Sequence, residues 1–344
     1  MELEQQFLCL LKIVEDLQKK VVRLEQENLR LIQGQKQLIE WVEQNQKDNS
    51  YFQENAEYEL RDAISHSAED FFPKICSGEI AIDKIVNEGK SLARFGDGEF
   101  SAIAGRVRHR FQTQVDEELK QRLLEVLHSE EENLLIGIAN NYGSLKAYNE
   151  QARREIRCYM NPIVRKEHLQ LLEEEKVYYD AYVTRPYVMY ADNQTNASVK
   201  RFENLKRIWD KRDCIFVEGR YTGLGVGNDL FDTAASVKRI VGPAENAFSK
   251  YEQILDCCLK QPKDSLFLLA LGPTATVLAY DLCRAGYQSV DIGHIDLEYE
   301  WFLKGEGRRT VIGGKYNNEI DGGDKPDEIV DERYSEQMIE DYSR

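Results

Sequence analysis

Ser91-Leu-Ala-Arg-Phe-Gly-Asp-Gly-Glu-Phe100 is an apolar run that stops at two glycines, each of which is followed by or preceded by an acidic residue. The apolar half predicts a buried β-strand, and Gly96 and Gly98 let the backbone turn sharply at its end. Asp97 and Glu99 then lie on one side of the turn, where α/β proteins keep their ligands. Because Mg²⁺ and Mn²⁺ prefer oxygen ligands, the Asp-x-Glu spacing suggests a clamp for a metal ion and a diphosphate. Asp-Gly is also ordinary turn chemistry, so this stretch alone leaves both interpretations open.

The composition indicates which partners the protein can bind and in which cellular compartment it works. The chain has 344 residues and a formal net charge of -16, which would repel a phosphate backbone, so we expect no nucleic-acid partner. No run of about 18 apolar residues could span a membrane. The first residues show neither a basic leader nor an apolar signal core, and the seven cysteines are scattered without a C-x-x-C pair. These features predict a cytoplasmic protein with reduced thiols.

A leucine heptad repeat occupies the first part of the chain. Leucine stands at the d positions Leu3, Leu10, Leu17, Leu24, Leu31 and Leu38, and the a positions are Phe7, Val14, Val21, Asn28, Gln35 and Val42. β-branched a residues with leucine at d favour two parallel strands, and Asn28 at an a position would fix their register. We therefore predict a parallel coiled-coil dimer over residues 1–46. Apolar residues at e and g leave a trimer, or docking onto another helix, as alternatives, and a single amphipathic helix packed on the globular part is a further one.

The remaining chain divides by pattern into three parts. Residues 47–74 are polar and predict a helical linker, and residues 75–316 predict a globular domain. Within that domain strands alternate with helices, which predicts an α/β fold with a parallel sheet covered by helices on both faces. Residues 317–344 form an acidic tail, which is rich in Asp, Glu and Gly and is typical of a disordered or loosely packed segment.

A glycine-rich loop follows the predicted strand Asp213 to Gly219. In Arg220-Tyr-Thr-Gly-Leu-Gly-Val-Gly-Asn-Asp-Leu-Phe-Asp232 the glycines allow close approach of a ligand. Asn228 and Asp229 are predicted to open a helix, whose backbone N–H groups attract anions. The spacing is neither the dinucleotide G-x-G-x-x-G nor a P-loop. The loop is therefore a phosphate or nucleoside loop of another kind, or a flexible turn.

Two later strand ends carry further candidates. Ser265 to Gly272 is a strongly apolar strand, and Pro273 with Thr274 begins a helix suited either to phosphate or to plain capping. Gln288 to Glu298 predicts a strand that delivers His294, Asp296 and Glu298 at its carboxyl end, as base, as ligands or as a solvated strand end. Strand ends of a parallel sheet share one edge, so their convergence favours a functional site at the acidic turn.

Ordered motifs along the chain resemble one known family. These motifs are Arg94-Phe-Gly-Asp-Gly-Glu99, Leu224-Gly-Val-Gly-Asn-Asp-Leu-Phe231, Pro243-Ala-Glu-Asn-Ala-Phe248, Leu271-Gly-Pro-Thr-Ala-Thr276 and Asp291-Ile-Gly-His-Ile-Asp296. Together they resemble the GT-D type bacterial glycosyltransferases of adhesin and surface-glycan glycosylation systems, over roughly residues 75 to 315. The resemblance implies a Rossmann-like sheet, a UDP-sugar donor, often UDP-glucose, and a glycan or glycoprotein acceptor. It also implies a Mn²⁺ or Mg²⁺ ion at Asp97 and Glu99.

The resemblance, taken with the strand ends, gives each candidate residue an expected role. Asp97 and Glu99 hold the metal and are catalytic, and His294, Asp296 and Glu298 are candidates for acceptor binding or general base. The residues expected to bind the donor are Arg94, Gly96, Gly98, Glu218, Thr222, Gly225, Gly227, Asn228, Asp229, Gly272 and Thr274.

One position departs from the family pattern. Where Thr/Ser-Arg is expected before the Leu-Gly-Val-Gly run, this chain has Thr222-Gly223, so Arg220 or Arg94 would have to stand in at the donor diphosphate. Two other readings of the chain follow. One is a non-catalytic coiled-coil scaffold with a degenerate nucleotide-sugar-binding domain. The other is a nicotinamide or S-adenosylmethionine enzyme, which would need a G-x-G-x-x-G motif that the sequence lacks after its first strand.

Overall fold

The structure of the chain is a computed structural model. It describes residues 2–65, 72–106, 112–114, 116–317, 319–320, 322–323 and 328–343. The chain divides into two compact units, residues 1–69 and 70–344. Among the described helices, none combines enough length with enough apolar surface to cross a membrane.

The described part of the first unit is one long helix, α1, from Glu2 to Ser65. Its 64 residues correspond to a rod on the order of 95 Å long at about 1.5 Å per residue. The helix therefore continues from the predicted coiled coil into the predicted linker. The heptad leucines are exposed along it, with values of 61% for Leu10, 56% for Leu17, 63% for Leu24, 61% for Leu31 and 59% for Leu38. Pairing into a coiled coil and the predicted domain boundaries stay predictions.

The second unit is built on a nine-stranded sheet. The strands are β1 (Lys74–Cys76), β2 (Ser91–Phe95), β3 (Leu134–Ile138), β4 (Val177–Asp180), β5 (Asp213–Gly219), β6 (Ser236–Gly242), β7 (Leu266–Ala270), β8 (Gln288–Asp291) and β9 (Met338–Asp341). Their order is β1-β4-β3-β2-β8-β7-β5-β6-β9, and every neighbouring pair is parallel. The predicted α/β fold with a Rossmann-like parallel sheet is confirmed.

Helices connect these strands and cover the sheet. They are α2 (Gly78–Glu88), α3 (Asp97–Ile103), α4 (Glu117–Leu127), α5 (Glu150–Tyr159), α6 (Pro162–Leu171), α7 (Asn196–Lys206), α8 (Tyr251–Leu259), α9 (Pro273–Arg284), α10 (Ile295–Leu303) and α11 (Glu332–Gln337). Two 3₁₀ turns, Ala181–Thr184 and Ala247–Lys250, complete the elements. The apolar strand β7 lies in the core, where burying a leucine or phenylalanine side chain contributes about 1.5–3 kcal/mol.

The two halves of the sheet meet where β2 lies beside β8. Their register is limited to the pair Leu92 and Val290, whereas β2 and β3 pair over all of Ser91 to Phe95. From β2 the chain continues to β3 on one side, and β8 is reached from β7 on the other side. A parallel sheet forms a ligand crevice at such a point, outside the carboxyl ends of the strands.

The structure corrects two predicted elements near these strand ends. β8 ends at Asp291, and the next residues turn at Gly293 and form α10, so the predicted strand to Glu298 is wrong. The alternation of apolar and acidic residues suggested a strand, but residues 295–299 are buried on all sides, so alternation carries no information there. The glycine loop is also followed by turns up to residue 235, not by the predicted helix at Asn228.

The C-terminal tail is also more ordered than predicted. α11 and β9 are regular elements, and β9 extends the sheet by pairing with β6. The side chain of Tyr334, a residue of α11, is buried. The prediction of a disordered or loosely packed segment is therefore wrong for residues 332–341. Its acidic composition reflects a solvated outer face, and the backbone hydrogen bonds to β6 do not depend on that composition.

Candidate active site

The acidic turn connects β2 to α3. β2 ends at Phe95 and α3 begins at Asp97, with Gly96 as the residue that caps the helix. The backbone N–H of Gly96 donates to Glu99 Oε2 over 2.7 Å, so the Glu99 carboxylate is held across the first helical turn. Burial raises the pKa of Glu99 above its ordinary value. A bound cation would act in the opposite direction, because it favours the ionised carboxylate.

A cavity of about 340 Å³ lies at the carboxyl ends of β2, β3, β4, β7 and β8. Its volume lies within the range of roughly 300–1,000 Å³ that is typical of small-molecule sites. The predicted site residues that line it are Arg94, Gly96, Asp97, Gly98, Glu99, Thr222, Gly272, His294 and Asp296. The strand ends that the sequence placed along one edge therefore meet around one cavity.

Arg94 cross-links the two central strands beside this cavity. Its Nε donates to the backbone O of Asp291 over 2.9 Å, and its Nη2 lies 2.7 Å from Asp291 Oδ1. Its Nη1 donates to the backbone O of Ala181 over 3.4 Å. Gly293, at φ +49°, passes so close that a Cβ there would lie 2.1 Å from Arg94 Nη2. Each guanidinium nitrogen of Arg94 thus has an acceptor within the protein, which makes this residue first of all a cross-link.

A second group of charged side chains lines the cavity, and we call Arg185 and Arg309, beside which His294 lies, the cationic face. Both terminal nitrogens of Arg185 contact Glu319, with 3.1 Å between Nη1 and Oε2. Arg309 Nε lies 3.0 Å from Glu319 Oε2, and His294 Nδ1 lies 3.3 Å from Glu319 Oε1. Burial alone would raise the pKa of Glu319, but Arg185 and His294 hold that pKa well below its ordinary value.

The glycine loop packs on α10 through Asp296. Asp296 Oδ1 accepts hydrogen bonds from Gly225 N and from Asn228 Nδ2, each over 2.9 Å. Lys315 Nζ contacts the other carboxylate oxygen. Both oxygens of Asp296 are therefore engaged inside the protein. Although Asp296 lines the cavity, its contacts are those of a residue that positions the loop.

Glu218 and Glu298 lie outside the cavity. Glu218 is completely buried, where it pairs with Arg239 and accepts a hydrogen bond from Leu224 N over 2.8 Å. Glu298 is buried as well, and its Oε2 accepts from the backbone N–H groups of residues 187 and 188 over 3.0 and 2.9 Å. Each carboxylate satisfies buried donors of the scaffold, as buried polar groups must. The structure therefore places neither of them where a donor or acceptor would bind.

The remaining predicted residues are distributed around the glycine loop and α9. Those that do not line the cavity are Gly225, Gly227, Asn228, Asp229 and Thr274. Because residues two apart on a helix point in directions about 200° apart, Asp296 points away from Glu298 on α10, whose N-cap is His294. His294 and Glu298 are four residues apart and share a side, but the Glu298 carboxylate is engaged by backbone N–H groups. The sequence treated all three as alternate residues of one strand face, and the change to a helix separates Asp296 from the other two.

At Gly223, where the family pattern has arginine, a residue of the C-terminal part of the chain fills the space that a side chain would take. Gly223 has φ +57°, and a Cβ there would lie 3.0 Å from Ile329 Cδ1. Arg220 pairs with Glu328 over 2.7 Å and does not line the cavity. Arg220 therefore lies away from the cavity, whereas Arg94 lines it while its guanidinium is engaged by Asp291 and Ala181. Within the described residues the other arginines that line the cavity are Arg185 and Arg309.

Sequence reasoning missed several cavity residues. Asn141 follows β3 as Asp97 follows β2, so the same strand-end rule could have found it. Its Oδ1 is buried without a hydrogen-bond partner among the described residues. Tyr182 and Arg185 also line the cavity, and both belong to the tyrosine-rich segment 178–190, whose sequence is compatible with stacking on a ligand or with a core edge. No local pattern pointed to Arg309, since it does not directly follow a strand.

The sheet and the cavity define the class of protein, which is an α/β protein with a cavity at the carboxyl edge of a parallel sheet. Residues 92–320 match the family model described as the glycosyltransferase GT-D fold. The chain belongs to the GT-D family of glycosyltransferases, as its motifs predicted.

Solved structures and curated proteins agree with this assignment. A glycosyltransferase (DUF1792) from Streptococcus sanguinis is 33% identical with a TM-score of 0.72, over 79% of this chain and 100% of that one. A domain of unknown function 1792, described as having a distinct glycosyltransferase fold, is also 33% identical with a TM-score of 0.72, over 78% of this chain and 96% of that one.

Two streptococcal proteins are similar in sequence. The probable glycosyl transferase Gly of Streptococcus gordonii is 35% identical over 267 residues, which are 77% of this chain and 38% of that protein. Glycosyltransferase GlyD of Streptococcus pneumoniae serotype 4 is 35% identical over 260 residues, 75% of this chain and 31% of that protein. The chain thus spans about a third of the length of these two relatives.

Proposed function

We propose that this protein transfers a sugar from a UDP-sugar, with UDP-glucose as the first candidate, to a glycan or glycoprotein acceptor. The transfer depends on Mn²⁺ or Mg²⁺ bound at Asp97 and Glu99. One observation carries the proposal: the acidic turn and the ends of several other strands line a single cavity of about 340 Å³. Family membership supports sugar transfer, and the donor, the metal and the acceptor are the proposed parts.

The residues at the acidic turn fit a hard divalent cation. Asp97 and Glu99 offer only oxygen ligands, and the described part of the chain holds no cluster of three or more ligating side chains. Mg²⁺ and Mn²⁺ are commonly held by one or two carboxylates together with substrate phosphates and water. The hydrogen bond from Gly96 N orients the Glu99 carboxylate before a ligand arrives, which is the usual task of a supporting contact.

The mechanism follows from these placements. A divalent cation at Asp97 and Glu99 would supply positive charge to neutralise the charge that develops on the leaving diphosphate. Asp97 and Glu99 hold it, and Asn141 offers its unsatisfied Oδ1 to a substrate hydroxyl. His294 is the candidate base or acceptor-binding residue that the geometry favours, since it lines the cavity while Asp296 and Glu298 are engaged elsewhere.

Hydrolysis and transfer assays over a panel of UDP-sugars with Mn²⁺ test this function. We expect slow hydrolysis of one UDP-sugar, because water can replace the acceptor in the cavity, and faster transfer when a suitable glycan is added. Loss of the signal in EDTA would support the metal. A non-catalytic scaffold would show neither reaction with any sugar, and that outcome would contradict the proposal.

We also propose that α1 forms a parallel dimer. The exposed leucines leave a continuous apolar stripe that a second copy would cover with matching heptads. Light scattering on the full-length protein should give about 80 kDa, twice the 39.9 kDa of one chain. Leu24→Glu should yield the monomer mass, because a charge would enter the seam, while Gln26→Glu at an outer f position should not. A monomer mass for the wild type would refute the dimer.

We place the protein in the cytoplasm as part of the same proposal. The six cysteines whose side chains the structure describes are unpaired, and four of them are buried. Free thiols are typical of a reducing compartment. Detection of the native protein in a secreted fraction with these thiols oxidised would contradict this location.

A further inference from the structure

Glu319 lies within the cavity as an anion paired with two arginines. Its side chain is 19% exposed and lines the cavity together with Arg185, Arg309 and His294. Arg185 binds it through both terminal nitrogens. The planar guanidinium fork matches carboxylate and phosphate equally well, so the geometry that holds Glu319 would also hold a phosphate group.

The cationic face offers more donors than a carboxylate uses. Arg309 Nε lies 3.0 Å from Glu319 Oε2, yet in the described residues this buried N–H has no hydrogen-bond partner, because its direction does not suit that oxygen. Buried donors are almost always satisfied in folded proteins. A phosphate group carries more acceptor oxygens than a carboxylate, arranged around a tetrahedral centre, and can meet both arginines at once.

The contacts of the Glu319 backbone are local. Glu319 N donates to Asn317 Oδ1 over 2.9 Å, and Asn317 N donates to Gly323 O over 2.7 Å. Tyr316 precedes Asn317, and its backbone N donates to Tyr221 O over 2.9 Å. Among the described residues no sheet hydrogen bond is formed by Glu319. The position of its carboxylate is therefore set mainly by the ion pairs, and a stronger anion can compete for them.

We propose that the cationic face binds the phosphate groups of the nucleotide donor, and that Glu319 is an internal anion that occupies this face until the nucleotide displaces it. The inference rests on the proposed use of a nucleotide-sugar donor. The apparent affinity for the nucleotide is then the intrinsic affinity multiplied by the fraction of molecules in which Glu319 has left the cationic face. Free protein thereby keeps its arginines paired, and a ligand with fewer charges than a diphosphate competes poorly.

Titration calorimetry of the full-length protein with UDP and Mn²⁺ tests the proposal. Glu319→Gln should bind UDP about 5- to 10-fold more tightly than the wild type, because the competing charge is gone. Arg185→Gln should weaken binding. Glu328→Gln is the matched control, since it removes the same charge from the surface pair with Arg220, and should leave the dissociation constant unchanged. Equal or weaker UDP binding by a folded Glu319→Gln would overturn the inference.

Inorganic pyrophosphate in EDTA separates this inference from the proposed function. If Glu319→Gln binds pyrophosphate more tightly than the wild type while no UDP-sugar is used, the internal anion stands and the donor assignment fails. If the wild type shows metal-dependent UDP binding but the variant gains nothing for either ligand, the internal anion fails alone. Should Glu319→Gln unfold, Glu319→Asp keeps the charge on a shorter side chain, and we expect a smaller gain in affinity. No gain there would overturn the proposal.

Discussion

Asp97→Asn and Glu99→Gln are expected to lose metal-dependent UDP binding and at least about 100-fold of the transfer rate, since removing even a supporting group of a metal site costs 10- to 100-fold. Both side chains line the cavity, and the amides that replace them keep the size but lose the negative charge that a divalent cation requires. Calorimetric titration of UDP with and without Mn²⁺ measures the effect. The metal-dependent part of the binding should disappear.

Variants of Glu99 separate the loss of metal-dependent UDP binding from a loss of folding stability. Its carboxylate accepts the Gly96 N–H, and the amide oxygen of Gln can accept the same bond. Glu99→Gln should therefore retain the stability of the wild type. Glu99→Ala loses the helix-capping bond as well, and should unfold about 1 kcal/mol more easily. Chemical denaturation of the two variants distinguishes the capping role from the metal role.

Asp256→Asn serves as the matched control for the acidic turn. Its side chain is 68% exposed and pairs with Lys260 on α8, outside the cavity. Neither UDP binding nor transfer should change. The metal clamp would be disproved by UDP binding that does not depend on Mn²⁺ and is the same in wild type and in Asp97→Ala/Glu99→Ala.

Gly293→Ala is expected to destabilise the protein by about 3 kcal/mol and to lower activity in the molecules that stay folded. The new Cβ would lie 2.1 Å from Arg94 Nη2, and Arg94 cannot move aside without giving up its contacts to Asp291. An alanine at φ +49° adds backbone strain. Urea unfolding measures the loss of stability. Because Arg94 and Asp291 line the cavity, UDP titration of the folded variant should show weaker binding.

Gly286→Ala is the control that separates the close contact with Arg94 from the strain of a positive φ. Gly286 also has a positive φ, +82°, but a Cβ there meets nothing within 4 Å. This variant should lose about 1–2 kcal/mol from the left-handed backbone alone and should keep its affinity for UDP. If the two variants lost the same stability, the close approach of Gly293 to Arg94 would have no energetic weight, and the cross-link between β2 and β8 would be unimportant.

The acidic turn shows how far local sequence reaches. The strand from Ser91 to Phe95 is buried between helices, and its mainly apolar sequence reflects that burial. The glycines and acidic residues that follow mark the end of the strand. The same reasoning found the strands at β5 and β7 and the start of α9 at Pro273. It failed at residues 294–298, since a segment buried on every side has no periodic contrast to report.

The roles of the acidic residues could not be assigned from the sequence. Glu218 and Glu298 looked like donor- or acceptor-binding groups, but one pairs with Arg239 and the other accepts backbone N–H groups of residues 187 and 188. Whether a carboxylate faces a ligand or a buried donor depends on partners that lie far away along the chain. No periodic pattern records such a partner.

The sequence by itself determined the parallel sheet, the long N-terminal helix and the acidic turn, because burial and turning leave local patterns in residue type. The cationic face and Glu319 were decided only by the tertiary structure. Arg185, Arg309 and Glu319 come from three separate segments, and only the folded chain brings them to one wall of the cavity. Ion pairs join residues that are close in space but far apart along the chain. Which charged residues pair therefore depends on the folded structure.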